Sequence, residues 1–276
     1  MNIFKRTLIR YILHRHAIAH DLWAEVIEKL SVLQGLTAVE KARLRELTTL
    51  FLHEKRFTGV QGFQLTDAMC LIIAVQACLP ALGLGIGCLS GWTEIIVYPG
   101  AFRVTRDNRD AVGVVHHQDQ ALIGESWSRG PLILSWDDVE RDMQGIQTGR
   151  NVVIHEIAHK LDMLNGPADG FPPLQHGMTV LEWSTSLSAA YESLVRQVEH
   201  HHHACINPYA ATSPAEFFAV ISEYFFSMPV ILYTNFADVF QQLQLYYRQN
   251  PLLRLPELNA SVISSSTLGA LNEHIQ

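Results

Sequence analysis

Residues 151–165 read NVVIHEIAHKLDMLN. Within them, His155 and His159 are four apart with Glu156 beside the first, the pattern HExxH. On an α-helix, residues four apart share one face. Both imidazoles can then reach one metal ion, and Glu156 stands where it can take a proton from a water beside that ion. The arrangement points to metal-assisted hydrolysis. Val152, Val153, Ile154, Ile157, Ala158 and Leu161 surround these polar residues with apolar ones, as in a helix inside an enzyme core. Asn165-Gly166-Pro167 supplies the stop.

Asp162 follows His159 by three residues and shares its face. Two readings stand. Its carboxylate can accept a hydrogen bond from a ligand histidine and fix the tautomer. Alternatively it supports the helix end, or pairs with Lys160 or a more distant base.

Two histidines leave a catalytic zinc site short of its usual third protein ligand. The best source is Asn207–Met228, NPYAATSPAEFFAVISEYFFSM. Ser213 suits a helix N-cap and Pro214 the first turn, with Glu216 three residues after the cap. Glu223 lies two turns further on nearly the same face. Carboxylates on an otherwise apolar helix face need a partner, because an unpaired buried charge is costly. That partner is a metal, or else an arginine or capped backbone, and for Glu216 the backbone reading is a capping box.

The chain has 276 residues, 48% of them hydrophobic and 17% charged, enough for a sizeable core. Its net charge of −7 argues against non-specific nucleic-acid binding. Cys70, Cys78, Cys88 and Cys205 form no CxxC pair, and three of them sit in or beside an apolar segment. They read as buried thiols of a reducing compartment. The N-terminus, MNIFKRTLIRYILHRH, has no uninterrupted apolar core of a secretory signal, so a cytoplasmic location is expected. Its apolar residues recur at helical spacing between Lys5, Arg6 and Arg10. That describes a core-docking helix or, as the alternative, one lying on a membrane surface.

Further helices are expected over residues 21–30, from a Thr37–Glu40 capping box to about His53, from Thr66-Asp67 onward, and over Val180–Glu199. Residues 68–89 are almost wholly apolar and long enough to cross a membrane. Gln76, Pro80 and the glycines at 83, 85, 87 and 91 instead favour a buried helix of modest length and a turn-rich connection, so no membrane is expected. Glu94–Tyr98, Pro131–Trp136 and, more weakly, Gly113–Val115 read as strands. A strand edge there can take an extended peptide by strand addition. His116 and His117 follow the last of these with no ligand spacing, and His200–His203 cannot all converge on one ion; both read as exposed polar residues.

The motif HEIAHKLD at 155–162, taken with YAATSPAEFFAVISEYFF at 209–226, closely resembles the Mlc titration factor A (MtfA) family of zinc-dependent peptidases. Val115-His116, Ser126-Trp127 and Gly130-Pro131 with Trp136 are similar to that family too. The resemblance covers most of the chain and is weakest in the first and last 20 residues. It implies a gluzincin-like site related to the catalytic domain of anthrax lethal factor. His155, His159 and Glu216 would hold one zinc ion (Zn2+) per chain, and Glu156 would be the general base. His116 would be an additional ligand able to hold the zinc at rest, and the Tyr209 hydroxyl would stabilise an oxyanion. The family's members are cytoplasmic bacterial proteins with aminopeptidase-type activity. They also bind the repressor Mlc and so relieve its control of the glucose phosphotransferase system. A non-catalytic anti-repressor with a structural or masked zinc is the alternative. This chain departs from the family in its Ala77–Gly91 segment, its histidine run and its tail after Asn259.

The fold expected is therefore α+β: a zincin-like metallopeptidase with a small mixed sheet, an HExxH helix and extra N-terminal helices. Residues 1–60 would be an N-terminal helical region, 61–258 the catalytic domain and 259–276 a flexible tail. A peptide substrate and the Mlc repressor are the partners implied.

Overall fold

A computed structural model describes residues 3–100, 130–144, 149–201 and 204–254. His116 and His117, the 113–115 run, Ser126-Trp127, His202, His203 and the 259–276 tail lie outside them.

The centre of the molecule is a stack of helices. Helix α3 (Ala38–Glu54) packs on α4 (Asp67–Leu84), α4 on α6 (Val152–Asp162), and α6 on α8 (Pro214–Ser227). Each begins where the sequence supplies a cap. Thr37 and Glu40 form the reciprocal capping box of α3, and Thr66 Oγ1 accepts from Met69 N–H at the start of α4. Asn151 Oδ1 accepts from Ile154 N–H, and Ser213 Oγ from Glu216 N–H. Two shorter N-terminal helices, α1 (Ile3–Arg15) and α2 (His20–Lys29), dock on this stack through Ile12, Trp23 and Val26.

Helix α4 is the one described helix long and apolar enough to cross a membrane, and 67% of that span is buried inside the protein. Leu71 to Leu82 are all buried, Gln76 among them. Pro80 lies within the helix rather than ending it. Near this proline, Gln249 Nε2 donates to Leu79 O at 2.9 Å and Pro80 O at 3.4 Å, tying the C-terminal part of the chain to carbonyls of α4.

Three strands, β1 (Arg56–Gly59), β2 (Glu94–Tyr98) and β3 (Leu132–Ser135), form a sheet in that order. All described pairs are parallel, with Arg56 opposite Glu94 and Ile95 opposite Leu132. The expected mixed sheet is thus a parallel one among the described residues. β1 was not legible as a strand. RFTG has no apolar alternation, and its pairing to β2 defines it. The run from Pro131 also divides: β3 ends at Ser135 and Trp136 opens helix α5 (Trp136–Gln144), which packs on both β3 and α6. Ile95, Val97, Leu132 and Leu134 are buried at the sheet centre.

Helix α7 spans Val180–Glu199, as its periodicity predicts, and presents Trp183, Leu187 and Leu194 to the core. Behind α8 lie α9 (Pro229–Asn235) and α10 (Ala237–Tyr247). Phe217, Phe218 and Phe225 of α8 are at most 2% exposed, and Phe225 stacks on Tyr247 at 5.5 Å. Burying each such ring stabilises the fold by roughly 1.5–3 kcal/mol. That anchors α8 rigidly behind the polar residues on its other face.

Candidate metal centre

Helices α6 and α8 bring His155, His159 and Glu216 together, the one group of three or more metal-ligating side chains among the described residues. His155 Nε2 lies 3.1 Å from Glu216 Oε2, His159 Nε2 lies 3.4 Å from the same oxygen, and the two Nε2 atoms are 3.2 Å apart. Ligand atoms on a tetrahedral zinc at ~2.0–2.1 Å are separated by roughly 3.3 Å. Despite these short distances, the buried Glu216 Oε2 has no well-aligned hydrogen bond among the described residues. The three atoms lie close enough together to share one ion. The donor set of two imidazoles and one carboxylate, the equal spacing and the orphaned oxygen all fit a bound zinc ion.

The local sequence explains why Glu216 is available. Ser213 takes the Glu216 N–H, but the Glu216 carboxylate does not return to the cap as Glu40 does at the start of α3. It turns to the histidines. Those imidazoles hold it well below the usual carboxylate range against the opposing effect of burial. For His155, burial lowers the pKa, but the Glu216 and Glu223 carboxylates beside its ring outweigh it and raise the value to about 10. A cation is favoured at this position.

Glu223, buried on α8 two turns after Glu216, grips the other side of the same ring. Its Oε1 lies 2.7 Å from His155 Nδ1, and its Oε2 accepts from Asn151 N–H at 2.5 Å. A proton on Nδ1, donated to Glu223, leaves the Nε2 lone pair facing His159 and Glu216.

Asp162 is placed differently. It is fully buried, but its Oδ2 accepts from Gly170 N–H at 2.8 Å. Its Oδ1 and His159 Nδ1 both lack a hydrogen-bond partner among the described residues. Desolvation raises the Asp162 pKa to about 6. Through Oδ2 the carboxylate ties down the loop after α6. Lys160 Nζ donates to Gly130 O at 2.8 Å.

His155 opens onto a cleft of about 420 Å³ lined also by Arg150, Val152, Glu156, Asn207, Tyr209, Val220 and Glu223. Burial raises the Glu156 pKa, opposed by the neighbouring imidazoles of His155 and His159. Tyr209 sits on the 3-10 turn Pro208–Ala211, capped by Asn207 Oδ1, with its ring centre 6.2 Å from that of His155. Arg150, not singled out by any motif, is held by Asp138 at 2.8 Å and Asp142 at 3.6 Å. Asn151 and Gln76 were likewise missed as site residues. An asparagine immediately before an apolar run is a cap signal, but nothing in the sequence links it to Gln76.

Residues 4–248 match the model of the glucose-regulated metallo-peptidase M90 family. The chain is 40% identical over 235 residues to Mlc titration factor A of Escherichia fergusonii, covering 84% of this chain and 88% of that protein. To the protein of the same name from Cronobacter sakazakii it is 39% identical over 244 residues, covering 88% and 91%. To that of Salmonella gallinarum it is 42% identical over 231 residues, covering 82% and 85%. The family resemblance carried by the two long motifs is borne out, and the chain belongs to the M90 family of glucose-regulated metallopeptidases.

Proposed function

We propose that this protein is a zinc-dependent peptidase of aminopeptidase type. The observation that carries the reading is the convergence of His155 Nε2, His159 Nε2 and Glu216 Oε2 to within 3.4 Å of one another at a cleft that Glu156 also lines. These three residues would hold the zinc, with His116 as the further ligand that the family resemblance suggests. When bound, zinc supplies Lewis acidity toward a peptide carbonyl and makes water a better nucleophile.

The chain's own residues do the rest. Glu156 accepts the proton of the attacking water and returns it to the departing amine. Its raised pKa suits both halves of that transfer. Tyr209, on the cleft wall beside His155, donates its hydroxyl to the oxyanion. Glu223 keeps His155 in the Nδ1–H tautomer through its 2.7 Å contact.

The relatives' name, Mlc titration factor A, supports a second activity, capture of the Mlc repressor by this chain. The reading is tested by zinc content measured beside hydrolysis of aminoacyl p-nitroanilides and blocked peptides, for wild type and Glu156→Gln. One zinc per chain, with turnover lost only in the variant, is the expected result. Turnover undiminished in Glu156→Gln would overturn the assignment of the base.

A further inference from the structure

Helix α4 contains a single amide in a run of buried apolar residues. Gln76 is 2% exposed, between Ile73, Ala74, Val75 and Ala77, all fully buried. A buried amide is costly unless its polar atoms are bonded. Gln76 Nε2 donates to Ile72 O in its own helix at 3.2 Å, which turns Oε1 outward. That oxygen accepts from Asn151 Nδ2 at 2.7 Å, across 75 residues of sequence.

Asn151 has no freedom to bond otherwise. Its Oδ1 caps α6 by accepting from Ile154 N–H at 2.9 Å, so its amide group must face Gln76. Its backbone N–H donates to Glu223 Oε2, and Glu223 Oε1 takes His155 Nδ1. Both bonding partners of the glutamate carboxylate are thereby set, one by the α6 cap and one by the ligand ring. Beside Gln76 and Asn151 lies a void of about 40 Å³, also bordered by Asp142, Arg150 and Ser227. Asn151 has room to shift into it once Gln76 no longer holds its amide.

We infer that Gln76 is a positioning residue for the metal site, acting through Asn151 and Glu223 on the ligand His155. The inference rests on the zinc-peptidase reading of the site. The most apolar of the described helices thus sets the position of α6 through one side chain.

The test uses the full chain with Gln76→Met, which keeps volume and removes the acceptor, and Asn151→Ser, which keeps a cap oxygen and removes the donor. Gln249→Met is the control, because Gln249 is also buried and bonds α4 carbonyls but has no link to Asn151. Zinc affinity by chelator competition is expected to fall about 3–10-fold in the first two variants and to hold in the control. The visible absorption bands of the cobalt(II)-loaded protein should shift in the same two. Affinity within twofold of wild type and an unchanged cobalt spectrum in both variants would overturn the inference. If Gln76→Met does not fold, Asn151→Ser decides the matter on the same two readouts. If the wild type takes up no metal, the zinc reading fails by itself. The low-field proton signal of His155 Nδ1–H in the protein without added metal then decides: a shift in the variants is expected, and no shift refutes the relay.

Discussion

Glu216 and Glu223, two turns apart on one face of α8, hold opposite nitrogens of a single imidazole: Glu216 Oε2 lies 3.1 Å from His155 Nε2, and Glu223 Oε1 lies 2.7 Å from Nδ1. The two side chains reach toward each other along the helix and close on the ring from both sides. One carboxylate joins the candidate ligand set and the other sets the tautomer. Their differing burial fits those roles, since Glu223 is 5% exposed while Glu216 reaches the more open side.

Glu223→Gln should weaken zinc binding about 10–100-fold while leaving all three proposed ligands in place. The neutral amide keeps an acceptor for Asn151 or for His155, but its amino group cannot accept from the other. Chelator competition measures the effect. Zinc affinity equal to wild type would mean that His155 is oriented by packing alone.

Glu156→Gln should retain zinc and lose roughly 10²–10⁴-fold in kcat. Tyr209→Phe should lose roughly 10²-fold in kcat with little change in KM, because the oxyanion forms only as the carbonyl is attacked. Capture of the Mlc repressor should survive both changes if it uses surface contacts rather than chemistry. A pull-down with Glu156→Gln separates the two activities, and loss of capture there would tie binding to the active-site cleft.

Much of this site is legible in the amino-acid sequence. HExxH spacing places two imidazoles on one helical face, and a Ser-Pro-x-Glu start announces a helix whose first turn carries a carboxylate. Glu223 follows from its seven-residue offset. Asp162 shows what such reasoning leaves open: sharing a face with His159 does not settle which partner the carboxylate takes, and its Oδ2 takes Gly170 N–H. Gln76 is visible only as a polar interruption of an apolar run, because its partner lies 75 residues away. β1 escapes notice for a related reason, since four residues without alternation become a strand only through the neighbour they pair with.

Gly149 should tolerate no side chain. Its φ is +73°, and an added Cβ would lie 2.5 Å from Cζ of Tyr224 on α8. The residue leads into Arg150 and Asn151, so strain here would be felt at the cap of α6. Gly149→Ala should cost roughly 2–4 kcal/mol, from the left-handed backbone and the clash together. Urea unfolding measures it, and a loss below about 0.5 kcal/mol, the scale of an ordinary surface change, would show that Tyr224 yields freely.

Asp142 gives the fold a pH signature of definite sign. Its side chain is buried, accepts from Val152 N–H at 2.7 Å and faces Arg150, Asp138 and Glu223. Desolvation raises its pKa from 3.8 to about 6, helped by Glu223 and Asp138 and opposed by the Val152 hydrogen bond and Arg150. A carboxyl with a raised folded-state pKa binds its proton more tightly in the folded than in the unfolded chain. Between pH 4 and 6 the unfolded chain has lost this proton and the folded chain has not, so the contribution of Asp142 to stability falls as pH rises through that window. Above pH 6 the full cost, on the order of 2–3 kcal/mol, is in place. Asp142→Asn keeps an acceptor for Val152 and cannot ionise. Its stability relative to wild type should therefore improve by about that amount between pH 4 and 7, read from paired urea titrations. A difference between the two proteins that stays constant across this range would show that Asp142 ionises inside the fold as easily as in water.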